Sequence, residues 1–502
     1  MVNMESAFPR GFAYATHSFY PPSGFIEAPV VKNLWVDPWL KVDASTYKGL
    51  FVVVLGEASF QCRGLDRPSS ELLKSLLQGK DSFFETLKVL AGRYAVLFGS
   101  PSDFSVVSDA AATRSVFYSQ NGGVLASHAS LVEYILGGSF EKSSLPFRNG
   151  YPGNFTPYAR TKILTANLMY RVNRNEIVRY WPTTELPECS VEEAAEHTIL
   201  SAANALKQLA NERKIAIAMT AGFDSRLALA AAVKAGIEFE TFTYGEKSKD
   251  TRVDRMVAQE LAELVGVSHS VPPVGKVDPK LAAKLDEANY GSHHKKWVSG
   301  MSSHFGNPQI GIVSGNLMEL GRGHYTDVES QGLIDASNPS VAAQMYLKRF
   351  PKRIKLEIDE TVGLSKYLKI AEGMFAQWLD EIGGLTPNLL PGVTQFYWEH
   401  RMATWYGPAM LERDFYGESF IPFNSHAVFE VLLGVEKSKR ESNETFIRAI
   451  NSVDDRLLKI HVNPKTWPTT EPLDLKKHSI PFDSFEVTAR LADTLFVRIL
   501  CP

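Results

Sequence analysis

The segment Ile215-Ala216-Ile217-Ala218-Met219-Thr220-Ala221-Gly222-Phe223-Asp224-Ser225-Arg226 holds the residues best placed to do chemistry. An apolar strand runs into a loop of small residues, and helix-type spacing starts directly after it. Thr220, Ala221 and Gly222 let the backbone come close to a ligand. The unpaired N–H groups and partial positive charge of the following helix N-terminus suit a phosphate. Ser225 offers a hydroxyl donor, and Asp224 a carboxylate of the kind that holds magnesium beside phosphates. No Gly-Lys-Ser/Thr follows, so this is not a Walker loop. The plain alternative is a tight strand–helix turn with Asp224 as the N-cap.

Two further blocks follow in order. The strand-like Phe242-Thr243-Tyr244-Gly245 precedes Asp254 and then Gly266-Val267-Ser268-His269. Ser314 to Tyr325 reads S-G-N-L-M-E-L-G-R-G-H-Y. The first loop, T-A-G-F-D-S, resembles the S-G-G-x-D-S loop of ATP pyrophosphatases, which cleave ATP between its α and β phosphates. All three blocks together resemble the asparagine synthetase family, whose pyrophosphate loop is S-G-x-G-x-D-E-x-x-x-G-Y. In a gapless match Glu319 falls on the family's magnesium-binding Asp and Tyr325 closes the motif. Leu317 and Leu320 replace a Gly and an acid, and Arg322 is new, a guanidinium suited to phosphate. The resemblance implies ATP and Mg2+ as cofactors. The nucleotide would lie against Ala218, Met219, Thr220, Ala221, Gly222, Phe223, Asp224, Ser225, Tyr244, Ser314 and Gly315, with Asp224 and Glu319 on the metal and Arg322 on the phosphates.

The first half carries its own resemblance. Phe83 to Phe98, with Leu90-Ala91-Gly92-Arg93-Tyr94-Ala95-Val96, is similar to the helix–Gly–strand unit of class II glutamine amidotransferase domains. Asp109 to Tyr118 (D-A-A-A-T-R-S-V-F-Y) resembles their D-P-x-G-x-R-x-x-Y segment, followed by Ala126-Ser127-His128. Tyr151 to Asn154 and Leu164 to Asn167 resemble the stretch leading out of that domain. Glutamine hydrolysis there needs a cysteine at the mature N-terminus. This chain begins Met1-Val2-Asn3-Met4, and its nearest cysteine, Cys62, reads as a small apolar packing residue. Without the thiolate, glutaminase activity is expected to be absent. Relatives with an inactive first domain, such as β-lactam synthetase, carbapenam synthetase and lasso-peptide cyclases, take an amine from the substrate. The implied function is an ATP-dependent ligase that adenylates a small-molecule or peptide carboxylate and joins it to an amine. Ammonia-dependent amidation and a degenerate nucleotide-binding scaffold are the alternatives.

For the acceptor half-reaction, Gln395 to Trp405 (Q-F-Y-W-E-H-R-M-A-T-W) reads as a helix with Tyr397, Arg401 and Trp405 on one face. Tyr397 and Glu399 match the Tyr–Glu pair of the lactam-forming relatives, though Glu399 points elsewhere on a regular helix. Glu418 to Phe423 resembles the family's R-x-P-F segment, with Asn424 at its Asp. Lys465, and before it Lys459, is the candidate for the family's C-terminal lysine. The pair His293-His294 has no third ligand nearby and reads as surface or substrate-facing.

Placing these groups requires two units. Residues 1–185 are strand-rich, with helix-like stretches at Ser69 to Gln78 and Ser82 to Leu90, and with hairpins across residues 99–103 and 120–123. The resemblance to class II amidotransferase domains implies that they form a degenerate Ntn-hydrolase-like αββα sandwich. After a linker at Trp181 to Glu188, Ser190-Val191-Glu192-Glu193 reads as a capping box. Residues 190–502 then alternate: helix Glu192 to Arg213, strand Ile215 to Met219, helix Asp224 to Ala235, strand Phe239 to Tyr244, helix Arg252 to Val265 and strand Ile310 to Val313. Such alternation implies an α/β parallel-sheet domain with a helical C-terminal part, and the resemblance implies that it is of the adenine-nucleotide α-hydrolase-like kind. The overall class is α/β with α+β.

Bulk properties agree. A chain of 502 residues exceeds one core. A net charge of -3 gives no basic surplus for nucleic acid or anionic membrane. Three scattered cysteines make neither a disulfide framework nor a zinc site. With no signal peptide and no long apolar run, a cytoplasmic protein is expected. Its assembly is left open, a homodimer included.

Overall fold

The structure is a computed structural model that describes residues 7–62, 67–138, 142, 147, 150–245, 251–290, 295–306, 309–323, 332–333 and 335–465. Met1 to Met4, His293-His294, Tyr325 and Cys501 lie outside the described residues.

Two antiparallel six-stranded sheets are built from residues 12–179. The first runs Thr161–Ile163, Phe117–Ser119, Val124–Ala126, Phe12–Ala15, Leu34–Val36, Ile26–Glu27; the second runs Glu176–Arg179, Leu168–Arg171, Asp103–Ser108, Leu90–Ser100, Leu50–Phe60, Val42–Tyr47. Their inner faces meet through aromatic pairs: Tyr14 stands edge-on to Phe104 at 5.2 Å and Tyr118 stacks on Tyr170 at 4.6 Å. Helices Pro68–Gln78 and Lys80–Lys88 pack with the second sheet, and Ala129–Ile135 packs with the first. The expected strand Leu50 to Leu55 continues to Phe60, because Gly56 carries the ladder on at φ 112°. The expected helix to Leu90 stops at Lys88, since Leu90 already pairs with Phe60.

The third sheet is parallel. Its order is His269–Ser270, Phe239–Phe242, Lys214–Ala218, Ile310–Val313, Glu418–Phe420. The sequence therefore starts in the middle, at Lys214–Ala218, moves outward to one side, and returns to the other side at Ile310–Val313. Helix Val191–Ala210, which leads into this sheet, opens with the expected capping box: Ser190 Oγ accepts from the Glu193 N–H at 3.2 Å, and Glu193 accepts from the Ser190 N–H at 3.1 Å. Helices Phe223–Ala235 and Arg252–Val265 follow the strands as the periodicity predicts. No helix among the described residues is long and apolar enough to cross a membrane.

The two halves share one apolar core, which runs from Phe12 and Val54 through Trp181 to Phe375, Trp398 and Phe429. Charge also crosses the boundary. Arg93 donates to both carboxylate oxygens of Asp414, Arg114 donates to Glu418 at 2.7 Å, and Arg10 lies 3.0 Å from Glu418. All five side chains are buried. Ions taken out of water this completely persist only when paired, so this cluster fixes the edge strand Glu418–Phe420 against the first half. Asn424 adds to it, donating to Gly92 O and Asp109 at 2.7 Å each, a structural role for the position where the family has Asp.

Candidate active site

The crevice of interest lies at the carboxyl ends of the parallel strands. Strand order reverses between Lys214–Ala218 and Ile310–Val313, and open α/β sheets bind ligands at such a switch point. The loop 219–222 leaves one of these strands and Ser314-Gly315 leaves the other. The two loops touch: a Cβ on Gly315 would stand 2.0 Å from the Asp224 carbonyl oxygen and 3.0 Å from the Ser225 nitrogen. Only a glycine allows that approach, which explains why glycine is required at position 315.

Within the first loop the alternative of an Asp cap does not hold. Gly222 is the N-cap of Phe223–Ala235, and no side chain caps it, so the first N–H groups of the helix lack side-chain acceptors. Ser225 is inward-tied: its hydroxyl accepts from the Thr220 N–H at 3.1 Å and bonds Thr220 O and Oγ1 at 3.1 and 3.0 Å. It shapes the loop where a free phosphate donor was expected. Asp254, from the next helix, accepts from the Ala221 N–H at 2.8 Å, so the second block reaches the loop.

Asp224 and Glu319 come together here. Arg322, on the single turn Glu319–Arg322, donates from Nη2 to Asp224 Oδ2 at 2.8 Å. Oδ1 is 2.8 Å from the same nitrogen but off its bonding direction, and forms no hydrogen bond. Burial pushes the Asp224 carboxyl up to about 7, the Arg322 guanidinium opposes this, and the Glu319 carboxylate adds to it. An unspent carboxylate oxygen beside a second carboxylate fits magnesium, which takes one or two protein carboxylates and completes its shell with water and phosphate. Among the described residues no group of three or more His, Cys, Asp and Glu could hold a metal, so Asp224 and Glu319 alone would leave most of a magnesium shell to water or ligand oxygens.

The departures from the family motif have structural counterparts. Leu317 stands at the motif's Gly and holds φ 78°, a left-handed backbone that glycine adopts freely. Ala112, at the Gly of the D-P-x-G-x-R segment, likewise holds φ 53°. Leu317 and Leu320 are both buried in the shared core. Left-handed strain costs about 1–2 kcal/mol, while truncating a buried leucine costs about 2–5 kcal/mol. Leu317→Gly is therefore expected to lower stability despite relieving the strain, read as a lower urea midpoint; a raised midpoint would mean that strain dominates.

The structure also gathers residues that sequence reasoning missed. Arg226, fully buried, donates to Leu457 O and Ile460 O at 2.6 Å, to His461 O at 2.5 Å and to Ala221 O at 3.3 Å. It pins residues 457–461 to the loop, and the Asn463 N–H reaches Ala221 O at 3.0 Å. An arginine just ahead of an Ala- and Leu-rich run was the available signal. Lys465 follows two residues later and is exposed. Tyr406 is buried beside the site, with Arg413 5.8 Å from its ring centre.

The acceptor segment is corrected in form. Residues Tyr397–Tyr406 are a π-helix rather than an α-helix. Pro408 lacks an N–H and its ring crowds the carbonyl four residues back, at Thr404, and such a disruption favours a wider turn. Arg401 still lies over the Trp405 ring at 4.3 Å, as i, i+4 neighbours should. Tyr397 is buried. Glu399 is committed elsewhere: Arg179 grips both of its oxygens, and Gln395 donates at 2.9 Å and Asn167 at 3.3 Å. Its carboxylate ties the π-helix to strand Glu176–Arg179 and is not a free base.

Cys62 is buried in the apolar core, which suits the packing role expected of it.

No family model matches the chain, and no curated protein does. Solved structures give loose matches. One is a glutamine phosphoribosylpyrophosphate amidotransferase from B. subtilis complexed with ADP and GMP, at 13% identity and TM-score 0.20 over 57% of this chain and 60% of that one. Another is the allosteric regulatory enzyme of purine biosynthesis, at 13% identity and TM-score 0.21 over 48% of this chain and 64% of that one. The chain thus spans less than two thirds of either protein, and superpositions this loose fix neither its arrangement nor its chemistry.

Proposed function

We propose that the chain is an asparagine synthetase-like ligase that adenylates a carboxylate with ATP and couples it to an amine without hydrolysing glutamine. The observation that carries this reading is the meeting of the two loops at the switch point, with Gly315 against the Asp224–Ser225 peptide. In the first step the substrate carboxylate oxygen attacks the α-phosphorus and pyrophosphate leaves. In the second the amine nitrogen attacks the acyl carbon, AMP leaves, and the amine gives up a proton. Asp224 and Glu319 would hold magnesium, which would supply charge neutralisation at the phosphates. The start of helix Phe223–Ala235 offers its N–H groups to the phosphates, and Arg322 adds a guanidinium. Glu399 is assigned to holding the π-helix, so the proton acceptor is sought elsewhere. Lys465 stays a candidate by its link to Asn463.

The test is pyrophosphate release from ATP and magnesium across a panel of carboxylic acids, with and without ammonium. Release that depends on one acid but not on ammonium supports the ligase with a substrate amine. Release that needs ammonium points to amidation by ammonia. ATP binding without release for any acid favours a nucleotide-binding scaffold, a second reading that the leucines at positions 317 and 320 speak for.

A further inference from the structure

Arg322 has an unusual position for a residue of this loop. Its Nη2 lies 2.8 Å from both oxygens of Asp224, the carboxylate proposed for the metal. Its Nε is buried and makes no hydrogen bond among the described residues. The guanidinium lies over the Phe446 ring at 5.4 Å, and Phe446 is itself buried, so an apolar platform carries the fork while donors stay unspent. The Glu319 side chain, one helical turn earlier, makes no hydrogen bond or ion pair among the described residues, while its carbonyl accepts from the Gly323 N–H at 3.1 Å.

The charge balance follows from these positions. With Asp224 ionised, as a bound metal requires, Asp224, Glu319 and Arg322 sum to a single negative charge. A divalent cation entering alone would compete with Arg322 for Asp224 and face a like charge at close range. A triphosphate brings several negative charges, enough for the metal and the guanidinium together, and gives the unspent donors of Arg322 an acceptor.

We propose that Arg322 is a resident cation that excludes free metal from Asp224 and admits it only with the nucleotide. The inference rests on the ATP-binding reading above and adds an order of binding to it. Two consequences have opposite signs. The wild-type protein binds ATP without divalent metal, while free Mn2+ binds it poorly. Arg322→Gln binds free Mn2+ more tightly and loses metal-free ATP binding.

The experiment is calorimetric titration of the full chain with ATP in excess chelator, and with Mn2+ alone followed by its paramagnetic resonance, for wild type, Arg322→Gln and Arg322→Lys. The expected result is at least a tenfold gain in Mn2+ affinity and at least a tenfold loss of metal-free ATP affinity in Arg322→Gln. Arg322→Lys, which keeps the charge but not the fork, should fall between. Changes of the same sign, or no change in Mn2+ affinity, would overturn the proposal. So would a wild-type protein that binds ATP only when metal is present, a result that needs no variant to fold. ATP binding by none of the proteins under any condition would instead sink the nucleotide reading itself.

Discussion

Replacing Asp224 with alanine is expected to lower ATP-dependent pyrophosphate release by at least about a hundredfold, the scale on which removing one charge-stabilising group usually acts. Asp224 is the meeting point of the site: it opens the helix after the first loop, faces Glu319 and Arg322 of the second, and lies under Gly315. The same substitution should leave the fold alone. The Asp224 and Arg322 side chains are 22% and 25% exposed, so Arg322 keeps some access to water when its partner is removed. Burial has also raised the carboxyl to about 7, so its removal relieves a desolvation cost. The measurement is release rate beside the urea midpoint. An undiminished rate would show that Asp224 holds no essential metal, and a collapsed midpoint would make the rate uninterpretable as chemistry.

The second large effect is on acid stability. His128, His400 and His426 are depressed to about 3 and His197 to about 4, in each case chiefly by burial. Arg93 and Arg114 further oppose charge on His128, Arg401 on His400 and Lys88 on His426. In the unfolded chain each would titrate near 6.5. Between these values the unfolded state binds more protons, so stability is fully present above pH 6.5 and is lost as pH falls toward 3 or 4. At pH 5 the four histidines together cost about 8 kcal/mol. Asp224 works the other way: its raised carboxyl takes up a proton in the folded state as pH falls through about 7, which offsets about 3 kcal/mol at most. The net loss of about 5 kcal/mol compares with a total stability of about 5–15 kcal/mol for typical domains. Urea midpoints should therefore drop steeply from pH 7 to pH 5. A midpoint that holds steady or rises would show that these imidazoles are charged or hydrated in the folded state.

Much of this architecture was legible because it depends on local pattern. Apolar runs bounded by glycine marked the strands, Ser190 and Glu193 marked a helix start, and small residues before Asp224 marked a close-approach loop. Gly315 could be named from its motif, and its packing on Asp224 explains the motif. What was not legible depends on distant partners. Arg93 and Arg114 stand within recognisable segments, but nothing local shows that they and Arg10 form a buried cluster, since Asp414 and Glu418 arrive from more than 300 positions away. Glu399 was read with Tyr397 on one helix, but its carboxylate answers to Arg179 on a strand of the other half. The π-helix escaped because periodicity alone does not separate it from an α-helix over ten residues, although Pro408 gave the clue. Arg226 was passed over because a strand–loop–helix reading ends at the loop, whereas this side chain holds a segment more than 200 residues downstream.

The most direct measurement of the central claim is a crystal structure of the protein with magnesium and an ATP analogue whose α–β bridge is methylene. The account predicts phosphate oxygens within hydrogen-bonding distance of the backbone N–H groups of residues 223–225, between that loop and Ser314-Gly315, with Arg322 drawn onto the phosphates. A nucleotide bound away from both loops, or a crevice that stays empty at millimolar analogue while Arg322 remains on Asp224, would contradict it.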